Sequence, residues 1–169
     1  MQFLRYLILI IFVLFTNNVK AETKIAFIDI DYLMKNSNIG KISLKKLDNL
    51  NNKNINVLKE NEKKLKQEEN LLLQKQDIIS QEEFEKELKI LRNKIKEFNI
   101  NKEKMVKDYN KFKSQELNIT LQKFNKKIQE FMSQNSIEIL LDKNNIYIGT
   151  VSSDITKEVL IAINNEFKE

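Results

Sequence analysis

A chain with no proline and only two glycines has almost nothing with which to interrupt a helix. Proline removes a backbone donor and clashes with the preceding turn, and glycine supplies the backbone freedom that tight turns need. Their scarcity therefore favours long unbroken helices and weighs against compact all-β and doubly wound folds. The 169 residues also contain neither His nor Cys. That removes the imidazole base, the thiol nucleophile, the Cys/His zinc site and the disulfide, and with them most hydrolase, redox and structural-metal chemistry. The expectation is one domain with an elongated arm, no catalytic constellation, no metal and no cofactor.

Charge excludes a further class. Lys and Arg number 29 against 24 Asp and Glu, for a net charge of +5, and Arg5 and Arg92 are the only arginines. Lys-rich composition beside abundant Asn and Ile is what codon bias in an AT-rich genome produces, so the lysines alone do not announce an anion site. The shortage of guanidinium groups, the usual tool for bidentate reading of phosphates and bases, argues against a nucleic-acid partner.

Residues 1–21 read as an address. Arg5 gives a positive start, Tyr6 to Phe15 is a run of ten residues without a charge, and Val19 and Ala21 stand at the minus-three and minus-one positions of a cleavage before Glu22. Ten residues are too few to span a bilayer core, which takes about 20; an uncleaved anchor is the alternative. Removal of this secretory signal peptide takes away Arg5 and Lys20, leaving 27 basic residues of the 29 against 24 acidic ones. Export without cysteine means that stability has to come from burial or from assembly.

The remainder divides into a body, residues 22–38 and 136–169, and an arm, residues 39–135. In the body, Lys24 to Ile30 is a short β-branched stretch ending at Asp31, which is placed to cap a helix over Tyr32 to Asn36. Ile137 to Leu141 alternates, Asp142 to Asn145 is a polar turn, and Ile146 to Val151 is again apolar, which predicts an antiparallel β-hairpin. Asp154 then caps a last helix whose Ile155, Val159, Ile163 and Phe167 form one stripe.

The arm must reverse if the first and last strands are to share a sheet. Ser80 with Glu83 three residues on is a capping box, so the tip is placed near residues 76–80. The incoming helix, Ile39 to Lys75, would be roughly 55 Å long and the outgoing one, Gln81 to Asn135, roughly 80 Å. Gly40 is expected to break the short first helix from the arm. On the outgoing helix Phe84, Leu88, Leu91, Ile95, Phe98, Lys102, Met105, Tyr109 and Phe112 step by four and three. A five-residue step to Leu117 then returns the stripe to the face of a straight helix, continued by Leu121, Phe124, Ile128 and Phe131. The incoming seam of Leu44, Leu58, Leu65 and Leu72 is half polar, with Asn51 in phase and Asn54, Asn61 and Glu68 at the companion positions. A coiled-coil hairpin with this seam should hold weakly at its middle.

The fold class is thus α+β, a small β-rich body with a long antiparallel helical hairpin inserted between strands. A body of 17 and 34 residues is marginal alone, since domains of this size bury only about 60% of their unfolded surface. An obligate oligomer follows, assembled through Ile25, Phe27, Ile137, Ile139, Leu141, Ile146 and Ile148.

Lys24-Ile25-Ala26-Phe27-Ile28-Asp29, the strand from Ile137, and Asp154-Ile155-Thr156-Lys157-Glu158-Val159-Leu160 resemble the Skp/OmpH family of periplasmic chaperones, a likeness that covers the whole mature chain in layout. The resemblance implies a homotrimer, with a barrel-like body and three helical arms around a cavity, that holds unfolded outer-membrane β-barrel proteins without ATP. It also raises contact with anionic lipid or lipopolysaccharide. The residues themselves are compatible with this: Gly40-Lys41 lacks the upstream glycine of a phosphate loop.

Off the seam, Ile55, Val57, Ile90, Ile100, Val106 and Ile119 are the candidate client contacts, with Lys102, Lys104, Lys107 and Lys111 to attract acidic segments. The band of Lys63, Lys64 and Lys66 facing Lys86, Lys89, Arg92, Lys94 and Lys96 is interleaved with glutamates and reads as a salt-bridged, solvated face. The competing functional reading is a structural or adaptor coiled coil.

Overall fold

The computed structural model describes residues 23–168. The expected signal peptide lies outside them. Strand β1 (Ile25–Ile28) leads into helix α1 (Ile30–Asn36), followed by the two arm helices α2 (Asn38–Lys75) and α3 (Gln81–Gln134). Strand β2 (Ile139–Asp142), 3-10 turns at Lys143–Asn145 and Val151–Ser153, and helix α4 (Thr156–Glu166) complete the chain.

The first helix starts earlier than the sequence predicts. Asp29, not Asp31, is its cap, with Oδ1 accepting from the Tyr32 N–H at 2.8 Å. The Asp29 N–H donates to Thr156 Oγ1, which ends the strand there, and Asp31 falls in the first turn, where an acid suits the helix dipole. Ser37 then separates α1 from α2 and caps α2, accepting from the Gly40 N–H at 3.1 Å. The break therefore belongs to Ser37. Gly40 lies within α2, and its role is close approach: a Cβ there would stand 2.1 Å from the Met34 carbonyl oxygen.

The sheet corrects a larger expectation. There is no hairpin of 137–141 with 146–151; β2 runs parallel to β1, pairing Ile25 with Ile139 and Phe27 with Leu141. Parallel strands need a long crossover, and the arm supplies it. Ser136, at φ 53°, turns the chain out of α3, and the Ile137 N–H still reaches the Met132 carbonyl, so the strand begins two residues later than predicted. Asp142 caps the 3-10 turn at Lys143–Asn145, which carries the following segment away from the sheet. A β-patterned stretch without a partner strand cannot form a ladder; Ile146–Thr150 is irregular and Val151 opens the second 3-10 turn. The body thus has only a two-stranded sheet, and the described chain as a whole is mostly helical.

Its core is Ile28, Leu33, Phe124, Ile128, Val159 and Ile163, drawn from β1, α1, α3 and α4. The stripe of α4 behaves as its spacing predicts, although Ile155 takes the cap position and Asp154, one residue before, accepts from the Thr156 N–H. Ala26, Ile28 and Leu140 face this core. By strand alternation and parallel register, Ile25, Phe27, Ile139 and Leu141 share the opposite face.

Candidate functional site

Two surfaces result from this architecture. The first is the sheet face turned from the core, which the chain covers only at Phe27. Of the seven residues expected at an assembly interface, Phe27 and Ile137 are buried within the chain, Phe27 under Gly149, while Ile25, Ile139 and Leu141 are each close to half exposed. Ile146 is half-buried and Ile148 is 83% exposed, beside Tyr147 and Val151, which sequence reasoning did not single out and which are more exposed still. Parallel sheets are normally covered on both faces, and a two-stranded sheet is marginal in water.

The second surface is the arm. α3 returns along α2, and three ion pairs join them: Lys75 Nζ to Glu87 at 3.1 Å near the turn, Lys94 Nζ to Glu68 at 2.7 Å, and Lys46 Nζ to Glu116 at 2.8 Å near the root. Glu68 is thereby explained as a polar seam residue with a partner. At the turn, Ser80 Oγ accepts from the Glu83 N–H. Burial is confined to the two ends. Leu72 and Leu91 are buried near the tip, and Leu47, Thr120 and Phe124 near the root; between them the seam residues Asn51, Asn54, Leu58, Leu65, Phe98, Met105, Tyr109 and Phe112 are only half-buried. Two helices alone cannot enclose such side chains, and the polar Asn51 and Asn54 do not draw them together.

Grooves remain along this half-closed seam. One of about 280 Å³ is lined by Asn51, Asn54, Ile55, Leu58, Met105, Val106 and Tyr109, so the predicted contacts Ile55 and Val106 share a site. A second, of about 260 Å³, has Leu58, Leu65, Phe98 and Met105 on its walls. A third, of about 270 Å³ at the tip, combines the predicted Ile90 with Leu71, Leu72 and Leu91, bounded by the Glu68–Lys94 and Lys75–Glu87 pairs. Val57, Ile100 and Ile119 are exposed but line none of these grooves. Sequence reasoning missed Leu71, Leu73 and Ile78 at the tip, all exposed. The signal was the Leu71-Leu72-Leu73 triplet, of which a single seam can bury only one.

Among the described residues, Lys102, Lys104, Lys107 and Lys111 have no carboxylate within bridging distance. At about 100° per residue, Ile100, Lys104, Lys107 and Lys111 fall on the face of α3 turned from α2, whereas Lys102, in phase with Phe98 and Met105, falls on the side that faces α2 and is exposed there. The band nearer the tip is partly self-neutralised: Lys64 pairs with Glu60, whose carboxyl the Lys64 ammonium holds below its ordinary pKa, and Lys94 pairs with Glu68. The predicted seam aromatics Phe84, Phe98, Phe112, Phe124 and Phe131 are all buried or half-buried.

In the body, Lys143 stands 3.9 Å from Asp29 and 3.3 Å from Asp154. Burial pushes the Asp154 carboxyl up, but hydrogen bonds from Thr156 and Lys143 outweigh it and hold the group below its ordinary value. These carboxylates are accounted for as caps and ion-pair partners.

A family model described as outer membrane protein (OmpH-like) matches residues 24–163. The crystal structure of a candidate OmpH-like outer membrane chaperone from Caulobacter crescentus aligns at a TM-score of 0.80, with 20% identity over 88% of each chain. At that identity the likeness is one of fold. No curated protein matches the chain. A family match that runs from the first residue before β1 into the last helix covers nearly all of what the structure describes, and the chain belongs to the OmpH-like outer membrane protein family.

Proposed function

We propose that this protein is an ATP-independent periplasmic holdase, which binds unfolded outer-membrane β-barrel proteins between helical arms that hang from a shared body. The observation that carries the reading is the arm seam, whose middle leaves apolar grooves open to solvent where an ordinary coiled coil would close them. Ile55, Val106 and Ile90 in the grooves, with Val57, Ile100 and Ile119 on the surface, give a client scattered weak contacts. Several such contacts per arm combine through effective concentration. Lys102, Lys104, Lys107 and Lys111 steer acidic segments, or anionic lipid and lipopolysaccharide headgroups, toward the arm. That part weakens with salt, because exposed charges are screened over about 8–10 Å while apolar contacts are not.

The body supplies assembly. Ile25, Ile139 and Leu141 on the open part of the sheet face, together with the exposed Ile148, are the surface a second copy would cover; the number three comes from the family resemblance and the need for an oligomer from the incompletely covered sheet. Residues 1–21 direct export and are removed. No step of this function requires catalysis, a metal or a nucleotide.

The test is a light-scattering mass of the mature protein alone and with an unfolded outer-membrane β-barrel protein, without ATP. A trimer mass that rises by one client supports the reading. A mass that the client leaves unchanged would refute it and favour a structural coiled-coil role.

A further inference from the structure

The last turn of α4 reaches both helices of the arm. The Asn38 N–H, at the first position of α2, donates to Asn164 Oδ1 at 2.9 Å, and Asn38 Nδ2 donates to the Phe167 carbonyl at 3.2 Å. From α3, Lys127 Nζ donates to Glu166 Oε2 at 2.8 Å, and the Lys123 ammonium stands 5.5 Å from the centre of the Phe167 ring. The N–H groups of a first helical turn have no partner within the helix, so Asn164 satisfies a donor that α2 cannot. The other end of α4 is rooted in the sheet: Thr156 Oγ1 accepts from the Asp29 N–H, and Val159 and Ile163 are fully buried in the core. One short helix therefore has its foot against β1 and its end on α2 and α3 together.

The geometry at the arm's entry gives this contact something to do. Only Ser37, in extended backbone at ψ 154°, joins α1 to α2. At this joint Gly40 packs α2 closely on the Met34 carbonyl of α1, and side-chain contacts on either side of it supply the rest of the arm's direction. Asn38 is the residue next to that joint, and its two hydrogen bonds both end on α4. Asn164, Glu166 and Phe167 lie just past residue 163, where the family match stops.

We infer that the last turn of α4, through Asn164, Glu166 and Phe167, is a clamp that sets the direction in which the arm leaves the body. Its action is independent of what the arms hold.

The chain has no cysteine, so a label pair can be placed cleanly. Cysteines at Lys157 on α4 and Asn99 on α3, both exposed, are spin-labelled, and the labelled chain is diluted into unlabelled chain so that only distances within one copy are read. The native clamp gives one narrow distance distribution. Asn164→Ala with Glu166→Gln is expected to broaden it at least twofold, with oligomer mass and helix content unchanged. Asn36→Ala, which removes only a bond to Tyr32 inside α1, leaves the width as it was. Should the double variant lose its fold, Glu166→Lys carries the decision: alone it broadens the distribution, and with Lys127→Glu the native width returns. A native width in folded Asn164→Ala/Glu166→Gln, or in Glu166→Lys, overturns the clamp.

Discussion

Glu68 Oε2 accepts from Lys94 Nζ at 2.7 Å across the arm, and the two residues stand equally far on either side of residue 81, as do Lys75 and Glu87 nearer the tip and Lys46 and Glu116 at the root. One register therefore holds along the hairpin. Exposed ion pairs of this kind contribute roughly 0.2–1 kcal/mol each, too little to close the seam. Their value lies in alignment, since sliding one helix by a turn breaks all three together.

The distribution of burial predicts where the arm opens. Backbone amides of α2 around residues 51–65 and of α3 around residues 98–112 should exchange with solvent faster than those beside Leu47, Leu72, Leu91 and Phe124, which are buried. Hydrogen exchange read peptide by peptide checks this; uniform protection from root to tip would contradict a weak middle.

Gly40→Ala should destabilise the protein, against the usual gain of about 1 kcal/mol for alanine over glycine inside a helix. The new Cβ would lie 2.1 Å from the Met34 carbonyl oxygen and 2.8 Å from Ser37 Oγ, and the first of these is backbone that cannot swing aside. Thermal unfolding of the variant is the check: a raised midpoint would show that the α1–α2 joint is slack.

Stability should fall on the acid side through Asp154. Although burial acts upward on this carboxyl, Thr156 and Lys143 hold its folded pKa below the ordinary value, so its contribution is present above the unfolded pKa near 4 and is lost as pH falls through the folded value. Glu166, lowered by its hydrogen bond and charge contact with Lys127, acts in the same window. Urea midpoints measured from pH 7 down to 3 should therefore drop below about pH 4, and less steeply in Asp154→Asn. Parallel acid limbs for the two proteins would count against this.

Ile139→Asp and Ile148→Asp separate a free body from an assembled one. Within one chain these side chains are 44% and 83% exposed, so a carboxylate there would cost little. In a shared apolar layer it costs several kcal/mol, and assembly and folding fail together. Sedimentation that finds either variant as a stable folded monomer would refute assembly through this face.

Much of this was legible because helices announce themselves locally. Ser80 and Glu83 mark the start of α3, the four-residue steps of Val159 and Ile163 mark a buried stripe, and the half-polar phase of Asn51 and Asn54 marks an open seam. Strand partners are not local. The alternation from Ile137 to Val151 says that one face is apolar but not which strand lies alongside, and Lys143–Asn145 has the composition of a hairpin turn while folding as a 3-10 turn. Asp29 and Asp31 are both good caps, and the choice was made by Thr156, 127 residues away from Asp29. The bond of Asn38 to Asn164 spans 126 residues and follows no spacing that a sequence displays.

In the proposed function the arms do the holding and the body the assembling. Asn54 and Asp108 face each other in the register of the three ion pairs, so removing residues 55–107 and joining the two through a short designed turn shortens the arm without shifting it. The buried root at Leu47, Thr120 and Phe124 is left in place. Aggregation of an unfolded outer-membrane β-barrel protein, diluted from urea and followed by light scattering without ATP, is the direct measurement. The shortened protein is expected to keep the oligomeric state of the full-length chain and to lose most of its protection of the client. Equal protection by the shortened and full-length proteins would contradict this, and would make the arms spacers.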